Sequence, residues 1–309
     1  MSEYRNVEIL GVGKEPGGRF GRVLIAGSGK LVGPVECESF ELPGAGKVEE
    51  GSLTVHGPLR CFGAGKVEGA VRAASMELSG SFKAEGSCTL EGDLELAGSL
   101  KVEGPCTVGG RSRLSGSMKV EGPCTLQGEA DVQGVLKAEE ALQTGILNVT
   151  GELKAEAGLR AETIESAGVL KVEGNVQAER FRASGPVEIN GELNAEQVEL
   201  ELVSESAIES IVGGSVKVRK RSEASGFRRG LNFSIRFDRE RGGLQIEAGR
   251  PHLAAGLIEA DQVDLEFTDC ETVRGVNVHI GRECVVDRVE YSGTLSTDAY
   301  ATVGEKVKV

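Results

Sequence analysis

The stretch "GSLKVEGPCTVGGRSRLSGSMKVEGPCTLQGEADVQG" (98–134) decides the fold. It is one unit written almost twice. Leu100 and Val102 alternate with Lys101 and Glu103, and Met118 and Val120 alternate with Lys119 and Glu121. Cys106, Val108 and Leu114 extend the apolar set of the first copy; Cys124, Leu126, Ala130 and Val132 extend the second. A period of two places these residues on one side of an extended strand, whereas a helix would space them three and four apart. Short runs separated by Gly-Pro or Gly-x predict three strands per lap of chain.

The same lap extends in both directions. Marks at Gly27, Gly44, Gly63, Gly80, Gly98, Gly116, Gly134, Gly151, Gly168 and Gly185 are separated by 17, 19, 17, 18, 18, 18, 17, 17 and 17 residues. Lysine stands three positions after each mark from Lys30 to Lys171, and Glu188 breaks the column at the tenth. The next position is apolar throughout, from Leu31 to Ile189, and glutamate recurs one further on from Glu49 to Glu173. A single lap cannot bury its apolar side, but stacked laps share one core and bond to each other through the backbone. The expected fold is therefore all-β: a parallel β-helix with ~4.8 Å between strands and three sides per rung. Each rung takes about 17–18 residues, and about twelve rungs with one interruption are expected. Corner glycines, as in Gly104-Pro105, Gly122-Pro123 and Gly185-Pro186, are expected to supply unusual backbone angles.

"GAGK" at 44–47 and 63–66 looks like the end of a phosphate-binding loop. Such a loop needs Ser or Thr after the lysine and a helix beyond it. Neither is present, and the repeat accounts for the same residues.

Composition narrows the function. The chain has 309 residues and a net charge of −13, which argues against nucleic-acid binding. Aromatics are 4% and Trp is absent, so the core must be built from small aliphatic side chains. No apolar leader and no run of eighteen apolar residues occurs, so neither a secretion signal nor a membrane span is expected. Seven cysteines without a local pairing motif suit a reducing cytosol. Cys88, Cys106 and Cys124, eighteen apart, read as buried thiols acting as small apolar residues. A disulfide between adjacent layers is geometrically conceivable, while a zinc site would need converging ligands. The Lys and Glu columns read as a charge-balanced solvated face, or else as a lateral zipper between filaments.

The expected organisation is a flexible segment at 1–20, rungs at 21–202, an irregular basic insertion at 203–253, rungs at 254–300 and a flexible tail at 301–309. From Lys217 to Arg241 nine Lys and Arg face three Asp and Glu. Arg219, Lys220, Arg221, Arg228, Arg229 and Arg236 form a candidate patch for an acidic partner or an anionic membrane face. Terminal rungs of a solenoid offer unpaired strand edges, and no amphipathic capping helix is evident at either end. Phe20, Val23 and Ile25 at one end, and Val285 and Val289 at the other, are candidate polymerisation residues.

The G-x-x-K-V-E-G ladder, "GPVEINGELNAEQVELEL" (185–202) and "VRGVNVHIGRECVVDRVEYSG" (273–293) resemble the bactofilins, bacterial polymer-forming cytoskeletal proteins. The resemblance covers nearly the whole chain and is nearest the longer branch found in Gram-positive spore-formers. It implies a right-handed, roughly triangular β-helix that assembles end to end without nucleotide or other cofactor. It implies a cytoplasmic, non-enzymatic scaffold, at the inner face of the cell membrane in some relatives, that localises other proteins. The implied partners are further copies of the chain and a sister bactofilin. Two departures stand out: the solenoid is longer and interrupted, and the short apolar N-terminal segment of many relatives is missing. Any membrane association is accordingly expected to be indirect.

Two rival readings remain. A hexapeptide-repeat acyltransferase would need a catalytic histidine, and His56, His252 and His279 stand in no recognisable site. A monomeric adaptor would bind its partner through 203–253.

Overall fold

The structure is a computed structural model and describes residues 4–221, 234–238, 243–247 and 250–309. Strands, turns and bends account for the assigned structure of these residues; none is helical. The chain divides into two compact units, residues 1–156 and 157–309.

In the first unit a representative layer consists of strands Ser99–Val102, Cys106–Val108 and Ser112–Leu114. Each pairs in parallel with its counterparts one lap earlier and one lap later. Val102 lies between Ala84 and Val120, Cys106 between Cys88 and Cys124, and Leu114 between Leu96 and Val132. Strands on the lysine-bearing side begin at or near Val12, Ser28, Ala45, Ala64, Ser81, Ser99, Ser117, Val135 and Glu152, which makes nine layers. In the second unit the corresponding starts are Val169, Val187, Glu205, His252, Thr268, Val285 and Thr302, which makes seven. The fold is the expected parallel β-helix, with about sixteen layers among the described residues rather than about twelve.

The extra layers come from segments expected to be irregular. Strand Val7–Ile9 pairs with Val23–Ile25, and residues 12–16 pair with 28–32, so residues 7–20 are part of the solenoid and not a flexible leader. Its alternation is hidden because Gly13 and Glu15 occupy the inward positions that Gly29 and Leu31 fill one layer on. Strand Glu205–Lys220 pairs with 188–202 on one side and 252–265 on the other. Regular structure therefore continues through most of 203–220, and the excursion lies between Lys220 and His252. Within it, Ser234–Asp238 and Gly243–Glu247 form an antiparallel pair. Strand Thr302–Lys308 pairs with residues 285–291, so the segment expected to be a flexible tail forms another layer.

The inward columns are closely packed. Val102, Val120, Leu136, Leu153, Cys88 and Leu94 have essentially no exposed surface. Burying aliphatic side chains at ~25 cal/mol per Å² is the main favourable term, and it is realised only when layers stack.

The glycine column has a different cause from the expected one. Gly98, Gly116 and Gly134 have no left-handed backbone angle. A Cβ on Gly116 would overlap the carbonyl oxygen of Gly98, and a Cβ on Gly134 would overlap that of Gly116. Gly104, Gly122 and Gly185 likewise have ordinary angles but sit against the backbone one layer below. The corners need glycine because successive laps approach more closely there than a side chain allows. Gly213, inside the segment expected to be irregular, obeys the same rule against the Ala195 carbonyl.

Candidate functional surfaces

The lysine and glutamate columns form a ladder of ion pairs. Lys83 Nζ is 2.9 Å from Glu85 in its own layer and 2.9 Å from Glu103 in the next. Lys101 bridges Glu103 (3.0 Å) and Glu121 (2.9 Å), Lys119 bridges Glu121 (3.0 Å) and Glu139 (2.9 Å), and Lys137 bridges Glu139 (3.3 Å) and Glu156 (3.1 Å). Where the lysine column breaks, Glu188 instead accepts from Lys171 at 2.9 Å. Lys83, Lys101, Lys119 and Lys137 are thus each held between two acids of their own molecule, which leaves little charge in mid-ladder for a zipper to a neighbouring filament.

The ladder perturbs its acids. Hydrogen bonds from Lys47 and Lys30 hold Glu49 at about 2, and those from Lys66 and Lys83 hold Glu85 at about 2. Glu103, Glu121 and Glu139 are lowered by the same kind of bond. A depressed acid contributes stability that is fully present above its unfolded value and is lost as pH falls through its folded value. The melting temperature is expected to be flat from pH 7 to about 5 and to fall between about 4.5 and 2. Thermal unfolding followed by circular dichroism checks this; a curve that stays flat to pH 2 removes the ladder from the stability of the fold.

The candidate polymerisation residues lie deeper than expected. Phe20, Val23, Ile25 and Val289 are buried, and only Val285 is exposed. The solenoid continues beyond them at each end, through strands Val7–Ile9 and Thr302–Lys308. In the first layer Arg5 pairs with Glu15 at 2.8 Å, and its guanidinium stands 5.8 Å from the Phe20 ring. In the last layer Leu295 stacks on Val278 and Val303 on Val286. Val278 and Val286 are buried, but Leu295 and Val303 are only half-buried. Extending the repeat by one lap in the sequence would have found them.

The basic patch is brought together only in part. Arg219 is neutralised by Asp264 and by Glu266 at 2.8 Å. Lys220 lies 5.4 Å above the Phe267 ring, and Arg282 lies 5.2 Å from it. Arg221 is exposed beside them. Arg236 lies on the antiparallel pair, while Arg228 and Arg229 fall outside the described residues. Next to Lys220 is a cleft of 640 Å³ lined by Arg250, His252, Phe267, Asp269, Glu283 and Tyr300, among others. Phe267 and Glu283 have positive φ, 52° and 55°, so two corners of the cleft hold non-glycine residues in the left-handed region. No motif announced this cleft, because its walls come from four laps.

All seven cysteines are free and buried. Burial pushes Cys37 and Cys270 up to about 12, and Cys61 and Cys284 up to about 11. The neighbouring Cys106 thiol, with burial, raises Cys88. His56 contacts Glu36 at 3.0 Å and His252 contacts Asp269 at 2.9 Å. Among the described residues no three His, Cys, Asp or Glu side chains converge as metal ligands, and no helix is long and apolar enough to cross a membrane.

Two curated proteins of Bacillus subtilis (strain 168) are similar to parts of this chain. The uncharacterized protein YhbE is 43% identical over 60 residues, 19% of this chain and 25% of YhbE. The uncharacterized protein YhbF is 34% identical over 89 residues, 26% of this chain and 38% of YhbF. The chain thus matches about a quarter and somewhat over a third of the lengths of these relatives. No known family profile matches the chain, and no solved structure matches it.

Proposed function

We propose that this β-solenoid is a bactofilin-type scaffold: a non-enzymatic cytoplasmic protein that self-assembles end to end without nucleotide and positions other proteins. The observation that carries the reading is the last described layer. Leu295 and Val303 extend buried columns yet remain half-exposed, and the outer edges of residues 294–297 and 302–308 have no strand partner among the described residues. Apolar surface beside unpaired N–H and C=O groups is a template for another strand layer. The partner with matching geometry is another copy of the chain, because its layers have the same strand lengths and spacing. The repeat ladder and the rungs that resemble bactofilins support the same reading.

Negative-stain microscopy of the purified chain without nucleotide tests it. Filaments are expected from the unaltered protein. Leu295→Asp and Val303→Asp are expected to abolish them and leave the circular dichroism spectrum unchanged. A single small species at all protein and salt concentrations would overturn the proposal. It would favour a monomeric adaptor, for which the cleft beside Lys220, Arg250 and Phe267 is the natural docking point.

A further inference from the structure

We infer that the cleft beside Lys220 and Arg250 is a docking groove for a proline-rich segment of a partner protein, one that carries an acidic and a basic side chain three residues apart. The inference rests on the reading that this chain positions other proteins, and it holds for a monomer as well as for a filament.

The groove follows from stacked corners. Lys220 ends strand Glu205–Lys220, and Arg250 precedes strand His252–Leu265 one lap on. Phe267, Glu283 and Tyr300 then line the cleft from the corners of the next three laps. From the corner at Arg250 to that at Tyr300 is three steps of ~4.8 Å, so the groove is about 14 Å long. Its 640 Å³ is ample for a short stretch of extended chain.

Charge is segregated along this groove. At one end Lys220 and Arg250 have no carboxylate partner among the described residues, whereas the neighbouring Arg219 is neutralised by Asp264 and Glu266. Further along, Asp269 is engaged by His252 at 2.9 Å and Arg282 by Glu266 at 3.4 Å. That leaves Glu283 as an exposed acid with no cation partner among the described residues. Between and beyond these charges the surface is apolar: Phe267 is half-buried, Val285 is 47% exposed and Tyr300 79%. Phe267 and Glu283 are held at φ 52° and 55°, where glycine is the ordinary occupant. Strain of this kind persists where the side chain it presents has a use.

Spacing selects the occupant. Two lap steps, ~10 Å, separate the cationic corner from Glu283. In a β-strand, residues on one face are about 6.6 or 13 Å apart, and neither fits. In a polyproline II segment, residues three apart share a face at about 9.3 Å. Such segments dock on aromatic-lined grooves at low cost in chain entropy. A small anion would leave Glu283 facing it. A second copy offers its Lys and Glu two residues apart and already bonded to each other, on strands held at both edges.

The test is fluorescence anisotropy of a labelled peptide, Gly-Glu-Pro-Pro-Lys-Gly, added to the full chain, both unaltered and carrying Leu295→Asp. The second background is expected to lack filaments, so failure here is distinct from failure of assembly. Saturable binding is expected in both. Exchanging the peptide's lysine for glutamate, its glutamate for lysine, or both prolines for glycine is expected to weaken binding at least ~5-fold each. Lys220→Glu with Arg250→Glu is expected to weaken it at least ~10-fold. Glu283→Lys is expected to weaken it about five-fold and to make the two-glutamate peptide the tighter ligand, a reversal that a merely structural change would not produce. Lys14→Glu, in the first unit, is the comparison and is expected to leave binding unchanged, with folding monitored by circular dichroism. Absence of saturable binding, equal binding of all four peptides, or insensitivity to the Lys220, Arg250 and Glu283 changes would overturn the inference. Tighter binding of the two-glutamate peptide to the unaltered chain would mark a simple anion site and would also overturn it.

Discussion

Gly116→Ala is expected to destabilise the first unit by roughly 4 kcal/mol or more, far beyond the usual effect of adding one methyl group. The new Cβ would meet the carbonyl oxygen of Gly98, which is backbone and cannot rotate aside. The Gly116 amide also donates to the Leu96 carbonyl at 3.0 Å, so the corner is held from below while the methyl pushes it away. Moving the corner strains the layer above as well, because the Gly134 amide bonds back to Leu114 at 2.8 Å. Gly145→Ala is the matched comparison. Its Cβ would lie 3.1 Å from the Gln127 carbonyl oxygen and 3.3 Å from that of Gly128, so a shift of a few tenths of an ångström suffices. Its cost is expected to be within ~1 kcal/mol. Urea denaturation followed by circular dichroism compares the two, and equal midpoints would show that close stacking is not why the column is glycine.

Val120→Asp is expected to cost several kcal/mol, for an electrostatic reason. Val120 has no exposed surface and lies between Val102 and Ala138 in the stacked column. A carboxylate there would be surrounded by aliphatic side chains with no cation inside the coil. Burial would raise its folded pKa above the unfolded value near 3.9. The penalty is therefore smallest below that value and grows as pH rises through the folded pKa. Denaturation at pH 3.5 and pH 7 should show a larger loss at the higher pH. A loss that is the same at both would mean that volume, not charge, causes the damage. The same substitution at Leu295, which is half-buried, is expected to spare the fold. That contrast separates core positions from the outer layer.

The repeat was legible because its chemistry is periodic. Gly, Lys, an aliphatic residue and Glu recur at fixed offsets, and each offset has one structural meaning. The glycine column could be located but its cause could not, since the collision involves a carbonyl one lap away. Glu15 was unreadable as part of a layer because it stands where Leu31 sets the expected pattern. Arg219 looked like a free cation; its acids, Asp264 and Glu266, lie beyond the excursion and are invisible to any local reading. The cleft escaped notice for the same reason. Local alternation reveals strands, but partners brought together from separate laps emerge only when the layers are in place.

The register of the stacked laps also bears on how such a chain changes length. Each lap in the middle of the first unit bonds only to its two neighbours, and its sequence re-enters the same phase at each mark. Removing residues 99–116 would bring Ser117 to follow Gly98 just as Ser99 does now. Gaining or losing whole laps by gene duplication or deletion therefore needs no new joint, whereas a one-residue slip would turn a strand inside out. The architecture tolerates change in multiples of a lap, so the length of the molecule can evolve as a ruler marked in fixed divisions.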